Sequence, residues 1–333
     1  MSTTVTSDET TRPDTAPGTA PAAEDGALPV LAVDLVTAPS LLGSLAPLAR
    51  GLEEAGVGAL TLSDGGLHPI HVAAHLAPLT RAVGLLPRTD AIYVEPFHLA
   101  TQLMSLDHLS HGRAGWLLQA ETDPSAPVAV GREVLGLEAT AREAADVLAA
   151  ARALWDTWAP DAVVRDVERG VYVDASRLQY ADVEAETFSV RGPAITPRSP
   201  QGLLPVLVAD TDRAAVGEEV ATSHADGRVL DLDVSPGARA EELGARIAEA
   251  IEEGPTGEGD RVRLVRLVGL DLEADPLGTV SQLAAELRAR DLISPTPNPR
   301  RTLRAQLGLA PAPFQLDPAR RADRARLTRE ESA

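Results

Sequence analysis

Asp64 is a candidate ligand-facing carboxylate in the first part of the chain. It ends a short apolar run and precedes two glycines, and a carboxylate at the end of a buried strand can face a bound ligand. The same residue could instead act as a turn or N-cap residue, since Asp is favoured in both roles. Both interpretations place Asp64 where a strand gives way to a loop.

Three histidines follow on one predicted helix. His68, His71 and His75 are spaced i, i+3 and i+7, so one helix face could carry all three. A zinc site would need a further ligand and typically an H-E-x-x-H motif, and the sequence has neither here. No metal site is predicted, and a polar stripe on the outside of a helix is favoured.

Two more histidines lie on the next predicted helix. His98 could face a binding site and act as a general base, because imidazole titrates near neutral pH. His108 lies at the end of that helix and is interpreted as structural. The sequence has no cysteine, G-x-S-x-G elbow or P-loop, and no G-x-G-x-x-G opens a helix after a strand. Hydrolase, nucleoside triphosphatase and Rossmann functions lack support, and no catalytic residue is assigned.

The chain of 333 residues is acidic, with a formal charge of −19, and all its basic residues are arginine. Such a charge repels nucleic-acid phosphates and anionic lipids, so neither is expected as a partner. No stretch approaches the roughly 20 apolar residues of a membrane span. The start of the chain lacks signal-peptide features, which favours a cytoplasmic protein with a disordered tail at 1–27 and a charged tail at 317–333.

Between these tails, apolar runs alternate with amphipathic helices, which is typical of parallel βαβ units in an α/β domain. Seven runs are predicted as strands: 28–36, 57–62, 83–86, 114–119, 205–209, 228–232 and 262–270. Seven segments are predicted as helices: 41–55, 69–82, 97–109, 134–157, 214–223, 238–253 and 279–290. The pattern predicts one domain over 28–316.

Four spaced segments resemble a known family. Residues 95–116 read EPFHLATQLMSLDHLSHGRAGW, and residues 188–202 read FSVRGPAITPRSPQG. LWDTW with DAV at 154–163, and EL with TLR and LGL at 286–309, follow the same order. Together they resemble the bacterial luciferase-like flavin monooxygenases, in particular the branch with the nitrilotriacetate and dibenzothiophene-sulfone monooxygenases.

The first of these segments also has a physical interpretation of its own. Gly112 permits the positive φ needed to pass from helix to strand. Arg113 is expected to pair with Asp107 across this turn and to satisfy carbonyls at the helix end. The segment is therefore interpreted mainly as a structural clamp.

The resemblance implies a TIM (β/α)₈-type barrel, incomplete at its C-terminal units. The family's seventh and eighth βα units have no counterpart between about 270 and 279. The sequence leaves open whether the barrel closes; an open barrel would expose strand edges, which is costly unless a partner or loop covers them. Residues 159–204 interrupt the alternation with scattered charges and prolines. They are predicted to be an insertion over the barrel mouth, where long loops often carry function.

The resemblance also implies the cofactor and partners. Family members bind reduced FMN at the barrel mouth, supplied by a separate flavin reductase, and the flavin performs the oxidation of a small-molecule substrate. A deazaflavin is the less favoured alternative. A homodimer is expected because relatives dimerise.

Residues after the second, third and fourth strands are expected to lie near the isoalloxazine ring. Asp64 matches a position near the flavin, and Thr89, Asp90 and Ala91 match a ring-contacting loop, although an ordinary polar βα loop would look the same. Leu117 stands where relatives carry a polar Asn.

The phosphate-binding loop is the clearest departure from the family. Relatives carry a Ser where Ala214 aligns, while Gly217 is kept, and Arg213 lies between them and the acidic residues Asp210 and Asp212. Two carboxylates within about 5 Å of a phosphate would cost about 3 kcal/mol at an effective dielectric near 20, which Arg213 could partly offset. Weakened FMN binding is expected.

Two functions remain open on the sequence alone. The first is a flavin-dependent monooxygenase or oxidoreductase acting on a small organic substrate. The second is a degenerate, non-catalytic luciferase-like paralogue that acts as a binding or partner subunit. The altered phosphate loop and the missing units motivate the second.

Overall fold

The computed structural model describes residues 27–120, 123–235, 238–272 and 274–317, together with residue 320. Its centre is a closed barrel of parallel strands in the order β1-β11-β10-β9-β4-β3-β2. The strands are β1 Val30–Thr37, β2 Ala59–Asp64, β3 Gly84–Asp90, β4 Trp116–Gln119, β5 Val163–Asp166, β6 Val171–Val173, β7 Val183–Glu184, β8 Ser189–Val190, β9 Val206–Ala209, β10 Gly227–Asp233 and β11 Val262–Val268. The short strands β5–β6 and β7–β8 form two antiparallel hairpins outside the barrel.

The last barrel strand pairs with the first, so the barrel closes, which the sequence alone left open. β11 pairs in parallel with β1, from Val30 opposite Leu264 to Val33 opposite Leu267, while its other edge pairs with β10. The barrel has seven strands, so it lacks one strand of a (β/α)₈ barrel and still leaves none of its own strand edges unpaired. Closing satisfies the backbone groups that an open edge would expose.

The helices pack around this barrel. They are α1 Leu42–Glu54, α2 Pro69–Leu76, α3 Pro96–Leu109, α4 Ser125–Ala129, α5 Leu137–Trp155, α6 Arg213–Val216, α7 Ala240–Glu252, α8 Pro276–Ala289 and α9 Leu303–Gln306. The predicted helix at 214–223 is broken at Gly217, with α6 before it and a π-helical turn at Val220–His224 after it. A Cβ at Gly217 would lie 2.5 Å from the Cβ of Ala141 on α5, and its φ of +95° suits glycine.

Short α9 closes the floor of the barrel. Leu303 and Leu307 are buried in an apolar cluster with barrel residues such as Leu86, Leu117 and Leu207. The backbone N–H of Leu303 donates to the carbonyl of Gly112 at 2.8 Å, which ties α9 to the amino end of β4. Aliphatic side chains fill this lower layer, as the low aromatic content requires.

The segment 159–204, which was predicted to lie over the barrel mouth, makes contacts at both ends of the barrel. Because it joins the end of α5 to the start of β9, its last part lies at the opposite end of the barrel. Gln201 donates through its Nε2 to Asp107 Oδ1 at 2.6 Å and to the Ala114 carbonyl at 2.7 Å. On the mouth side, Glu186 in the β7–β8 turn accepts from Arg142 in the first turns of α5 at 2.7 Å.

The clamp at the end of α3 has one of its two predicted contacts, since Arg113 donates through its Nε to the carbonyl of the C-cap residue Ser110 at 2.9 Å. Arg113 donates to carbonyls of Ala77 and Val83, both at 2.7 Å, rather than to Asp107. Asp107 is fully buried and accepts from the backbone N–H of Gln201 at 3.1 Å. Burial raises the pKa of the Asp107 carboxyl, against the lowering effect of its hydrogen-bond donors. A structural role for this segment is consistent with these contacts.

Most of the two predicted tails lies outside the described residues. Of the charged segment 317–333, only Asp317 and Arg320 are described, and Asp317 donates from its backbone N–H to Gln179 Oε1 at 2.8 Å. In the part of the chain that the structure describes, no helix has the length and apolarity to cross a membrane.

Candidate functional site at the barrel mouth

A cavity of about 400 Å³ opens at the carboxyl ends of β2, β3 and β4. Ligands of parallel α/β barrels bind at this end, because the βα loops converge there. The cavity lies between these strand ends and the first turns of α2 and α3. Its lining residues are Asp64, His68, Pro69, Arg88, Thr89, Asp90, Val94, Glu95, His98, Leu99, Gln102 and Gln119.

Three of the sequence-predicted site residues line this cavity, namely Asp64, Thr89 and Asp90. Asp64 also accepts from the backbone N–H of Gly66 at 2.7 Å, so it is a turn residue as well as part of the cavity lining. The other predicted residues are not part of the lining. Leu117 lies lower, in the apolar floor cluster, and Ala91 is fully buried in the main core.

Two buried polar atoms of the lining have no hydrogen-bond partner among the described residues. They are the hydroxyl oxygen of Thr89 and the Oε1 of Gln119. Thr89 is only 7% exposed. Since a buried polar group without a partner costs about 1–3 kcal/mol, both atoms are suited to meet polar atoms of a bound molecule.

Two histidines and a glutamate form the outer rim. Glu95 is the N-cap of α3 and accepts from the backbone N–H of Phe97 at 3.1 Å. Burial lowers the pKa of His68, helped by the neighbouring His71 and His98, while Asp64 acts in the opposite direction. His68 is therefore neutral at neutral pH. Within the described ranges, no three His, Asp or Glu side chains are arranged to hold a metal ion.

A charged cluster fills the barrel interior above the apolar floor. Arg266 is 4% exposed and donates to Asp231 at 2.6 Å, with Asp34 at 3.7 Å. The hydroxyls of Thr61 and Ser63 donate to Asp34 at 2.6 and 2.9 Å. These contacts satisfy the buried charges, which would otherwise be costly.

A second ion pair crosses the mouth. Arg88 on β3 donates to Asp212 after β9 through two N–H groups, at 2.9 and 2.5 Å. The two strands are separated in the barrel by β4, so the pair spans the top of that strand. Burial alone would lower the pKa of Arg88, but the hydrogen bond and charge of Asp212 outweigh it and raise that pKa.

The loop that aligns with the phosphate-binding loop is internally paired. Asp210 accepts from Arg228 at 2.6 Å, and Arg228 precedes Val229 of the barrel interior, so this pair faces the outside of the barrel. Arg213 donates to Glu218 and Asp260, both at 2.7 Å. The predicted role of Arg213 as an offset to the two acids is therefore wrong, because its guanidinium is turned toward other carboxylates.

Ala214 and Gly217 complete this loop without reaching the cavity. Ala214 lies within α6, a helix of four residues, and Gly217 allows the close approach to α5 described above. Only Asp212 of the two predicted acids is turned toward the mouth, where it is 6% exposed.

Comparison with known proteins identifies the family. Residues 27–328 match the luciferase-like monooxygenase family, and the chain belongs to it. The chain is 36% identical over 141 residues to N-acetyl-S-(2-succino)cysteine monooxygenase of Bacillus subtilis (strain 168), covering 42% of this chain and 32% of the relative. It is 35% identical over 150 residues to dibenzothiophene-sulfone monooxygenase of Rhodococcus erythropolis, covering 45% and 33%.

The fold is shared with solved structures of this kind. EDTA monooxygenase from Chelativorans sp. BNC1 superposes with a TM-score of 0.64 at 15% identity, covering 86% of this chain and 100% of that chain. The alignments with the two curated relatives span about a third of each relative's length, at 32% and 33%.

The residues at the mouth match one part of a flavin and not the other. A cavity of about 400 Å³ is within the range of roughly 300–1,000 Å³ for ligand pockets, and its orphaned polar atoms suit the edge of an isoalloxazine ring. A terminal phosphate does not match the loop, because Arg88, Arg213 and Arg228 already pair with carboxylates.

Sequence reasoning missed Arg88 and Gln119. Their signal is the period of two along a strand, which places Arg88 on the same face as Leu86 and Gln119 on the same face as Leu117, both interior residues. No local pattern could reveal the pairing of Arg88, since its partner is 124 residues away.

Proposed function

We propose that this chain is a flavin-dependent monooxygenase whose mouth cavity holds the isoalloxazine ring of a reduced flavin. The observation that carries the proposal is the cavity at the carboxyl ends of β2–β4, with two buried and unpartnered polar atoms in its lining. The family and its named monooxygenases support it. The non-catalytic alternative is not favoured by these relatives.

The residues of the cavity have separable roles in this proposal. The Thr89 hydroxyl and the Gln119 amide oxygen form hydrogen bonds with the polar edge of the ring. Neutral His68, with His98 beside it, can accept or donate a hydrogen bond at the rim without placing a charge there. When bound, the reduced flavin supplies the electrons that activate dioxygen.

The cofactor and partners follow from the family. A separate flavin reductase supplies the reduced flavin, and the substrate is a small organic molecule that enters from the open rim. FMN is the flavin that the resemblance implies, although the paired loop after β9 leaves no free cation among its described residues to meet a phosphate.

The first test is binding. Riboflavin and FMN are titrated, oxidised and reduced, under anaerobic conditions, and binding is followed by quenching of protein or flavin fluorescence. Saturable binding at micromolar concentration is expected. Thr89→Val and Gln119→Leu are each expected to weaken it about 5- to 30-fold, in keeping with loss of about 1–2 kcal/mol per hydrogen bond.

Thr279→Val and Gln282→Leu are matched controls, since both residues are exposed on α8 away from the mouth. They should leave the dissociation constants unchanged. Absence of binding by any flavin form up to millimolar concentration would overturn the proposed function. Oxygen consumption with reductase, NADH and flavin then tests turnover separately.

A further inference from the structure

The Arg88–Asp212 ion pair separates the cavity from the loop after β9. Arg88 lines the cavity on the β2–β4 side, and Asp212 belongs to the loop on the β9 side. A flavin whose ring lies in the cavity and whose terminal group reaches that loop must pass this pair. The chemical nature of the terminal group therefore matters at Asp212.

The charge around this passage is negative. Inside the mouth, the guanidiniums of Arg88 and Arg266 face the carboxylates of Asp34, Asp212 and Asp231. Three further acidic residues line the cavity, namely Asp64, Asp90 and Glu95. A dianionic phosphate would meet this field at short range, where like charges repel strongly.

Release of Arg88 to a phosphate would not remove the difficulty. Asp212 is 6% exposed and both its oxygens accept from Arg88. If Arg88 turned to a phosphate, Asp212 would be left as a buried carboxylate beside a second anion, which is one of the costliest arrangements in a protein. A neutral hydroxyl can instead donate to Asp212 without breaking the pair.

We infer that this barrel mouth selects a flavin with a neutral polyol end, such as riboflavin, over one that ends in phosphate, and that Asp212 determines the selectivity. The inference rests on the proposed function, because it concerns the flavin held in the same cavity. Thr89 is 7% exposed, and its buried hydroxyl has no hydrogen-bond partner among the described residues. This hydroxyl supplies the ring contact that both flavins share.

The test compares dissociation constants of riboflavin and FMN for the full chain at low ionic strength. The wild-type protein is expected to bind riboflavin at least tenfold more tightly than FMN. Asp212→Asn and Asp212→Ser each remove the charge and release Arg88, which can then form charge-assisted hydrogen bonds with phosphate. FMN affinity should rise about 10- to 100-fold, while riboflavin affinity changes less than about threefold.

Asp161→Asn is the matched control. Asp161 is an exposed carboxylate that pairs with Arg177 in the segment outside the barrel. The substitution therefore removes the same charge away from the barrel mouth. It should leave the ratio of the two affinities unchanged. Thermal denaturation of each variant shows whether it is folded, and two different substitutions at Asp212 guard against the failure of one.

Ionic strength provides a second readout that a structural effect would not mimic. Salt screens repulsion and attraction alike. In the wild type, FMN affinity should rise with added salt, whereas in Asp212→Asn it should fall because Arg88 now attracts the phosphate.

Each outcome decides a separate point. Binding of FMN as tightly as riboflavin in the wild type, or an unchanged affinity ratio in both folded Asp212 variants, overturns the selectivity and leaves the proposed function standing. Failure of both flavins to bind overturns the proposed function as well.

Discussion

Buried charges at the mouth are held in place by partners from distant strands. Arg266 on β11 meets Asp231 on β10 and Asp34 on β1, and none of these side chains is more than 14% exposed. Such a set stabilises a fold only while every member keeps its partner, because one unpaired buried charge costs several kcal/mol.

Substitution of Arg266 tests this dependence. We expect Arg266→Met to lower the free energy of unfolding by about 3–5 kcal/mol, since Asp34 and Asp231 are then left without their cation. Urea denaturation measures it. Arg169→Met, at an arginine whose side chain is 74% exposed, should change stability by less than about 0.5 kcal/mol. Equal effects of both changes would contradict a role for the buried cluster.

Glu143 on α5 gives a pH-dependent case. It is 4% exposed and accepts from Arg132 through both oxygens at 2.6 Å, as well as from the backbone N–H of Tyr93 at 3.1 Å. Burial raises its pKa, but the hydrogen bonds from Arg132 and Tyr93 outweigh burial, so that its pKa lies below the ordinary value of 4.5. The ionised form therefore stabilises the fold.

The sign of the pH effect follows from that lowered pKa. The contribution of Glu143 is present above the pKa of the unfolded chain and is lost as the pH falls through the lower pKa of the folded chain. We expect Glu143→Gln to cost about 2 kcal/mol at pH 7 and progressively less below about pH 4.5. Glu138→Gln, whose side chain is 93% exposed on the same helix, should show neither effect in denaturant titrations at each pH.

Individual site residues could be predicted where strand ends alone decide their position. Asp64, Thr89 and Asp90 follow from the points at which β2 and β3 end, and all three line the cavity. The direction of Arg213 could not be predicted, because its partner Asp260 approaches from a turn 47 residues later. Which carboxylate holds which arginine is a tertiary property.

Short α9 shows how an element far along the chain completes the barrel. Leu303 is fully buried. Its Cδ1 would lie 2.6 Å from a Cβ added at Gly84, and its Cδ2 would lie 2.9 Å from a Cβ added at Gly115. The two glycines thus leave the space that the leucine fills. This fit between a short helix and the amino ends of β3 and β4 positions the floor beneath the charged cluster.

Removal of that side chain should be costly. We expect Leu303→Ala to lower the free energy of unfolding by about 3 kcal/mol, as loss of a buried leucine does when the surroundings cannot collapse. Leu277→Ala on α8 is the control, since Leu277 is 37% exposed. Chemical denaturation compares the two, and a similar small loss for both would show that α9 does not close the floor.

Helices and strands could be predicted where the hydrophobic periodicity within a segment is enough to determine them. All seven predicted barrel strands are present, with boundary changes of a few residues, because each is a continuous apolar run buried on both faces. The sequence could not show that 159–204 also reaches the amino end of the barrel, since no local pattern indicates which end of a barrel a connection crosses. The end that the segment reaches is shown only by the contact between Gln201 and Asp107.

Closure of the whole barrel could not be predicted from the sequence. The sequence indicates seven strands and the family has eight, so both an open and a closed barrel were possible. The pairing of β1 with both β2 and β11 depends on the curvature of the complete sheet and cannot be derived from any one strand.

Hydrogen exchange tests the closure directly. Backbone amides of β1 and β11 should exchange as slowly as those of β2 and β3, because all four strands are paired on both sides. Mass spectrometry of peptides covering Val30–Thr37 and Val262–Val268 measures this. Amides of the exposed hairpin strands β5 and β6 provide the fast-exchanging reference, and equally fast exchange in β1 or β11 would indicate an open edge.

The strands are hydrogen-bonded to each other around the whole circumference of the barrel, and this affects how the barrel unfolds. A ring of strands has no terminal member that can peel away alone, because detaching any one of them breaks two sets of hydrogen bonds at once. The segments that line the mouth cavity and those that close the floor therefore share one cooperative unit, and damage on one side of the ring weakens the cavity on the other.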